Sequence, residues 1–225
     1  MLKPKRKITR DEIKKDSFVE SVFEVRSFVK ENLKLFYQIG GGVALFLLLI
    51  IFLGQSSKNN KLEAEFLLTQ STLYLDGGDV QNAKILLQEL VDEYDGTEAG
   101  RLGGYHLAQI YIRDNDNELA LPLLIKYSKS GDNPFLLSSS NEAIASMYMQ
   151  INNLKKAIEY QSSSLKYSNT KKTLAFSKLK LVEMYIKEGS IERSKELIAE
   201  LKNEYSDDQD INNKIDYVVG LLMNR

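Results

Sequence analysis

Apolar positions along this chain carry two periods, one of a helical turn and one much longer. Tyr74, Tyr111, Tyr148 and Tyr185 stand 37 residues apart, and each is followed nine residues later by a small residue: Ala83, Ala120, Ala157 and Ser194. A fixed period of about 20 to 50 residues marks stacked supersecondary units. Four residues after each tyrosine come Gly78, Asn115, Asn152 and Gly189, residue types that tolerate the left-handed backbone of a helix end. Next come Asp79, Asp116, Asn153 and Ser190, whose side-chain oxygens suit the free amides of a new first turn. The pattern predicts that one helix stops and another starts at every repeat. Leu73, Ile110, Met147 and Met184 precede the tyrosines by one residue, and Gln70, Leu107, Ile144 and Leu181 by four, the spacing of a single helix face. Leu86, Leu123, Tyr160 and Leu197 are expected to form the matching face of the second helices. A small residue at a close helix crossing leaves room for a ring from the other helix.

The links agree with this division. Asn133 and Pro134 have the order of a cap followed by a first helical residue, and Thr97 is placed to cap the first helix of the second repeat. Pro122, six residues into a predicted helix, is expected to kink it or delay its start, at a cost of about 3 kcal/mol. Beyond the fourth repeat, Ile211, Ile215, Val218 and Leu222 recur at helical spacing, so a terminal helix over about 210–223 is expected to cover the last apolar face.

These residues resemble the tetratricopeptide repeats, in which a leucine and a small residue precede a tyrosine and an alanine follows nine positions on. Ser71, Ala108, Ala145 and, less typically, Val182 take the place of the small residue before the tyrosine. The resemblance covers about 62–205 in four repeats: about 62–95, 99–130, 134–168 and 172–205. The period is longer than the usual 34, and the family's early tryptophan and late proline are missing. The fold class expected is all-α, with a four-repeat TPR-like α-solenoid and a C-terminal capping helix. The resemblance further implies a concave face lined by the first helices. Its candidate protein-binding positions are Thr72, Gln109, Ser146 and Glu183, two residues before each tyrosine, and Leu68, Tyr105, Glu142 and Leu179, six before. The alternative for the same positions is packing against the chain's own terminal helix.

Residues 35–57 contain no charge in 23 positions, centred on GGGVALFLLLIIFLG, and about 20 apolar residues cross a bilayer core. One transmembrane helix is therefore expected at 35–57. A cleaved signal peptide is the competing reading, but 34 residues precede the run, far more than an ordinary signal n-region. Those 34 residues hold ten Lys or Arg and six Asp or Glu, a net of +4, and the remainder of the chain has a net of −5. The positive-inside rule then predicts a cytoplasmic arm at 1–34 and an exported domain at 58–225. Within the arm, Thr9 and Glu12 form a capping-box pattern. Phe18, Val22, Val25, Val29, Leu33 and Phe36 follow at helical spacing, predicting an amphipathic helix that either lies on the membrane or docks on a partner.

Little in the sequence points to chemistry. There is no cysteine, so disulfide and thiol chemistry are excluded. The single histidine, His106, has no metal-binding or nucleophile motif around it. DNDNE at 114–118 begins like a calcium loop but has Leu119 where the loop needs glycine and Ile125 where it needs glutamate. The serine runs at 138–140 and 162–164 have no base to activate them, and no cluster of basic residues suggests nucleic acid. No catalytic residue, cofactor, metal or small-molecule substrate is expected; binding is. The whole layout, a basic arm, one span and a tetratricopeptide domain, is similar to the single-span ancillary subunit of the bacterial Sec translocon. That resemblance implies a bacterial inner-membrane protein with its repeats in the periplasm. Its implied partners are translocon subunits, periplasmic chaperones and exported chains. The alternative is an envelope scaffold that tethers another periplasmic or outer-membrane factor.

Overall fold

The computed structural model describes residues 17–224, with the backbone alone at 17–19 and 36. These residues form helices without a strand: α1 (Ser17–Glu31), α2 (Leu33–Asp76), α3 (Val80–Glu93), α4 (Glu98–Arg113), α5 (Asn117–Ser130), α6 (Pro134–Gln150), α7 (Leu154–Leu165), α8 (Lys171–Glu188), α9 (Ile191–Glu204) and α10 (Gln209–Met223). The chain divides between Lys58 and Asn59 into two units.

In the first unit, α1 carries Val22, Phe23, Val25 and Phe28 exposed to solvent. It ends where the Asn32 side-chain amide donates to the Phe28 carbonyl at 2.8 Å. The Thr9–Glu12 capping box and the Phe18 and Phe36 side chains lie outside what is described. The apolar run falls in α2, a helix long and apolar enough to cross a membrane, and the large side chains from Leu45 to Leu53 are exposed along it. The span expected at 35–57 and the first helix of the first repeat form one continuous helix, α2, which runs for 44 residues to Asp76. The intervening GQSSKNNK holds no proline. Its glycine, serine and asparagine residues each weaken a helix by no more than about 1 kcal/mol, and nothing in it removes a helical hydrogen bond.

The second unit is a series of helix hairpins, and their turns explain the fixed tyrosine spacing. Gly78, Asn115, Asn152 and Gly189 all have positive φ, at 78°, 62°, 58° and 92°. The next amides, of Asp79, Asp116, Asn153 and Ser190, donate back to the carbonyls of Tyr74, Tyr111, Tyr148 and Tyr185 at 2.8 to 2.9 Å. The left-handed residues donate to Leu75, Ile112, Met149 and Ile186 at 3.0 to 3.1 Å. This pair of bonds is the Schellman motif. The tyrosine backbone is thus part of the helix stop, which holds the turn residue at a constant distance from it. Asp79, Asp116 and Asn153 then cap the second helices, accepting from the amides of Asn82, Leu119 and Lys156 at 3.2, 3.4 and 3.3 Å. Ser190 departs from the expectation. Its hydroxyl donates to Glu188 at 2.7 Å and makes no cap bond to α9; the rotamer that serves the carboxylate does not bring the oxygen to an α9 amide, which a cap needs as its donor.

Ala83, Ala120, Ala157 and Ser194 are fully buried, as the small-residue pattern requires. The matching apolar face of the second helices, however, is shifted by one residue. Leu87, Leu124, Gln161 and Ile198 are buried, while Leu86, Leu123, Tyr160 and Leu197 are half-buried. At about 100° per residue, a position four after the buried small residue lies about 40° from it, and one three after lies about 60° away. On the first helices Leu107, Ile144, Leu181, Ile110, Met147 and Met184 are buried, but Leu73 is exposed. Pro122 neither delays α5, which starts directly after Asp116, nor disturbs its inward residues Ala120, Leu124 and Tyr127. The ring sits on the exposed side of the helix.

Two further features tie the hairpins together. A Cβ at Gly100 would lie 1.9 Å from the Tyr94 carbonyl oxygen, so the α3–α4 link packs backbone against backbone there. At the far end, Ile211, Ile215 and Val218 of α10 close a core with Leu179, Val182, Ile186, Ile198, Leu201 and Tyr205. Asp208 caps α10 by accepting from the Ile211 amide at 3.2 Å, and the Tyr205 hydroxyl reaches back to the Lys171 carbonyl at 3.0 Å.

Candidate protein-binding face

The eight candidate positions separate into two rows with different surroundings. Those six residues before each tyrosine run deep. Leu68 is packed against the core of the first two hairpins. Tyr105 sets its ring 5.2 Å from that of Tyr127 and 5.7 Å from His106. Burial raises the Tyr105 pKa above the ordinary tyrosine value, partly offset by a hydrogen bond with Ser139 on α6. Glu142 on α6 is clasped from α8: the Ser177 hydroxyl donates to one carboxylate oxygen, and the Lys180 ammonium to the other at 2.6 Å. Leu179 is 4 % exposed, inside the core shared by α8, α9 and α10. It is a core residue, as the alternative of packing within the chain expects, in a cluster that residues of α9 and α10 complete.

The positions two residues before each tyrosine lie further out. Thr72 and Gln109 are half-buried, and Ser146 and Glu183 are exposed. Thr72 turns its hydroxyl to the Thr69 carbonyl at 2.8 Å, a local bond within α2. This row is therefore the part of the candidate set available to another chain. Its chemistry is that of hydroxyl, amide and carboxylate groups, which suits a polar or extended peptide backbone better than a large apolar anchor.

The bonds from Ser177 and Lys180 of α8 to Glu142 of α6 link two successive first helices, which the repeat spacing alone does not specify. Lys178, on the same helix as Lys180, is buried to 9 % exposure. Burial opposes its charge, but hydrogen bonds to Glu200 and Glu204 at 2.7 and 3.2 Å outweigh this and hold its pKa above the ordinary lysine value. It joins α8 to α9 and is structural. No part of the repeat pattern marked it, because the residues at the same offset in the other repeats are Leu67, Gly104 and Asn141.

His106 is half-buried in α4, and desolvation lowers its pKa below the ordinary histidine value. Among the described residues no group of three or more His, Asp or Glu side chains is arranged to hold a metal. Serines 138–140 are divided in use: Ser138 donates to the Ser164 carbonyl at 3.2 Å, and the Ser140 hydroxyl is buried without a hydrogen-bond partner.

No protein-family model matches the chain, and no curated protein matches it. Several solved structures do. One is a crystal structure from Podospora anserina described as kinesin light chain nearly identical TPR-like repeats. It shares 14% identity over 71% of this chain and 94% of that one, with a TM-score of 0.47. Identity and superposition at that level assign neither a family nor a partner to this chain.

Proposed function

We propose that the protein is a membrane-anchored platform for binding other proteins, held by residues 35–57 with its arm in the cytoplasm and its hairpins in the periplasm of a bacterial inner membrane. The observation that carries this reading is the coupling, within one chain, of an apolar helix whose side chains are exposed to a run of hairpins with a polar outward row. The first part needs lipid around it. The second offers hydrogen-bonding groups at regular steps along successive helices. The arm's net charge of +4 favours the stated orientation. No catalytic role is proposed for His106, whose ring meets that of Tyr105 edge-on.

More specifically, the platform serves as an accessory of the Sec translocon and its periplasmic chaperones, with the span beside the channel and Gln109, Ser146 and Glu183 facing exported chains. Crosslinking in intact membranes, followed by identification of the trapped proteins, tests this. The proposal expects translocon subunits from the arm and span, and exported chains or chaperones from the outward row. A Gln109→Arg and Ser146→Arg double variant should weaken only the second group. Absence of translocon subunits from every crosslinked sample of the membrane-located chain would reject the accessory role and leave the envelope scaffold.

A further inference from the structure

The first hairpin helix has two apolar faces and a partner for only one. On α2, Ala64, Leu67 and Ser71 are buried, with Ala64 and Leu67 in the core that includes Leu87, Leu90 and Leu107. About half a turn away on the same helix stand Leu62, Phe66, Thr69 and Leu73. Leu62, Phe66 and Leu73 are 58 %, 64 % and 66 % exposed. At the other end of the repeats α10 covers the last apolar face; no described residue does so for this one. A helix apolar on opposite sides is one that is covered on both.

We infer that this stripe is the contact between two copies of the chain, paired in parallel and in register along α2. Its spacing of four, three and four residues is that of knobs entering the holes of an identical helix. The flanking charges select the parallel register. With the stripe at the centre, Lys58 on one edge of a helix meets Glu63 on the facing edge of the other copy, and the two-fold axis makes this attraction twice. Reversing one helix loses that match. Lipid tails are unsuited to the face, since Glu63 and Glu65 border it.

Three large side chains per copy fall well short of the roughly 1,200 Å² that a stable interface buries. The pairing therefore belongs to chains already confined side by side, and it rests on the membrane-anchored reading for that confinement. In a bilayer both copies have the same orientation and present the stripe at the same height, so the second contact is made at high effective concentration.

The absence of native cysteine makes the test direct. Single substitutions Leu62→Cys, Phe66→Cys, Thr69→Cys and Leu73→Cys in the full chain, oxidised in native membranes, are expected to give disulfide-linked dimers. Asn60→Cys and Lys61→Cys, off the stripe, should give several-fold less. Lys58→Glu should reduce the Phe66→Cys dimer, and adding Glu63→Lys should restore it. Equal dimer yield at all six positions, or crosslinks only to a different protein, would overturn the pairing. Extraction of the chain from the membranes by carbonate would instead contradict the anchoring, so the two failures are distinguishable.

Discussion

Gln161 is the residue whose replacement tests the packing most sharply. It is fully buried in α7, at the position held by Leu87, Leu124 and Ile198 in the other repeats. Its amide nitrogen donates to the Ser177 carbonyl at 3.0 Å, but its oxygen is buried with no partner. An unsatisfied buried acceptor costs about 1 to 3 kcal/mol, and the bond to Ser177 contributes about 1 kcal/mol net. Gln161→Leu removes both and nearly conserves volume, and each methyl-sized gain in apolar burial adds about 0.8 kcal/mol. The expected balance is a stabilisation of about 2 kcal/mol. For a unit of this size, each kcal/mol corresponds to about 2 to 4 °C, so thermal unfolding of the full chain in detergent, followed by circular dichroism, should shift upward by about 4 to 8 °C. Gln161→Ala, which also removes the acceptor but opens a cavity, should fall below Gln161→Leu by about 2 kcal/mol or more. If Gln161→Leu is instead less stable than the parent, the amide oxygen has a partner such as a buried water, and the reasoning about this joint is wrong.

Two other outcomes bear on the same domain. Ala157→Leu should destabilise by about 1 to 3 kcal/mol through overpacking, measured against Lys155→Leu as an exposed control. Lys156 is unsuitable as the control because its ammonium sits 4.9 Å from the Tyr148 ring centre and is hydrogen-bonded to its hydroxyl. His106 should make stability fall on acidification. Its folded pKa is depressed, so the unfolded chain protonates first, near its unperturbed value of about 6.5. The contribution is complete above that pH and declines below it, until the folded histidine titrates too. Denaturant midpoints of His106→Asn should lose this slope, which is at most about 1.4 kcal/mol per pH unit for one proton.

The sequence carried the hairpin turns well because their chemistry is local. Positive φ at Asn115 and Asn152 and the caps at Asp79, Asp116 and Asn153 depend on residues within one turn of each other. The one-residue shift from Leu86 to Leu87, and its equivalents, was harder to read because leucine occupies both positions in the first two repeats. Helix geometry favours the second of them by only about 20°. Ser190 makes no cap bond for a reason that is also local, the side-chain orientation that its bond to Glu188 fixes, and cap preference at a single position does not contain it. The candidate positions differ in accessibility, with the outer row at or near the surface and the inner one deeper, a division that the repeat pattern does not contain. Leu179 and Leu68 occupy equivalent positions, yet Leu179 lies in the core shared with α10, a helix outside the repeat.

The central claim is that an exported repeat domain is tethered by one span, and accessibility labelling tests it most directly. Single cysteines placed by Ser57→Cys, Asn60→Cys or Lys3→Cys would be exposed to a membrane-impermeant thiol reagent applied from the periplasmic side of intact inner membranes. The account predicts that the first two are labelled and that Lys3→Cys is labelled only after the membrane is permeabilised. Labelling of Lys3→Cys alone before permeabilisation would reverse the topology, and equal labelling of all three would contradict a membrane span.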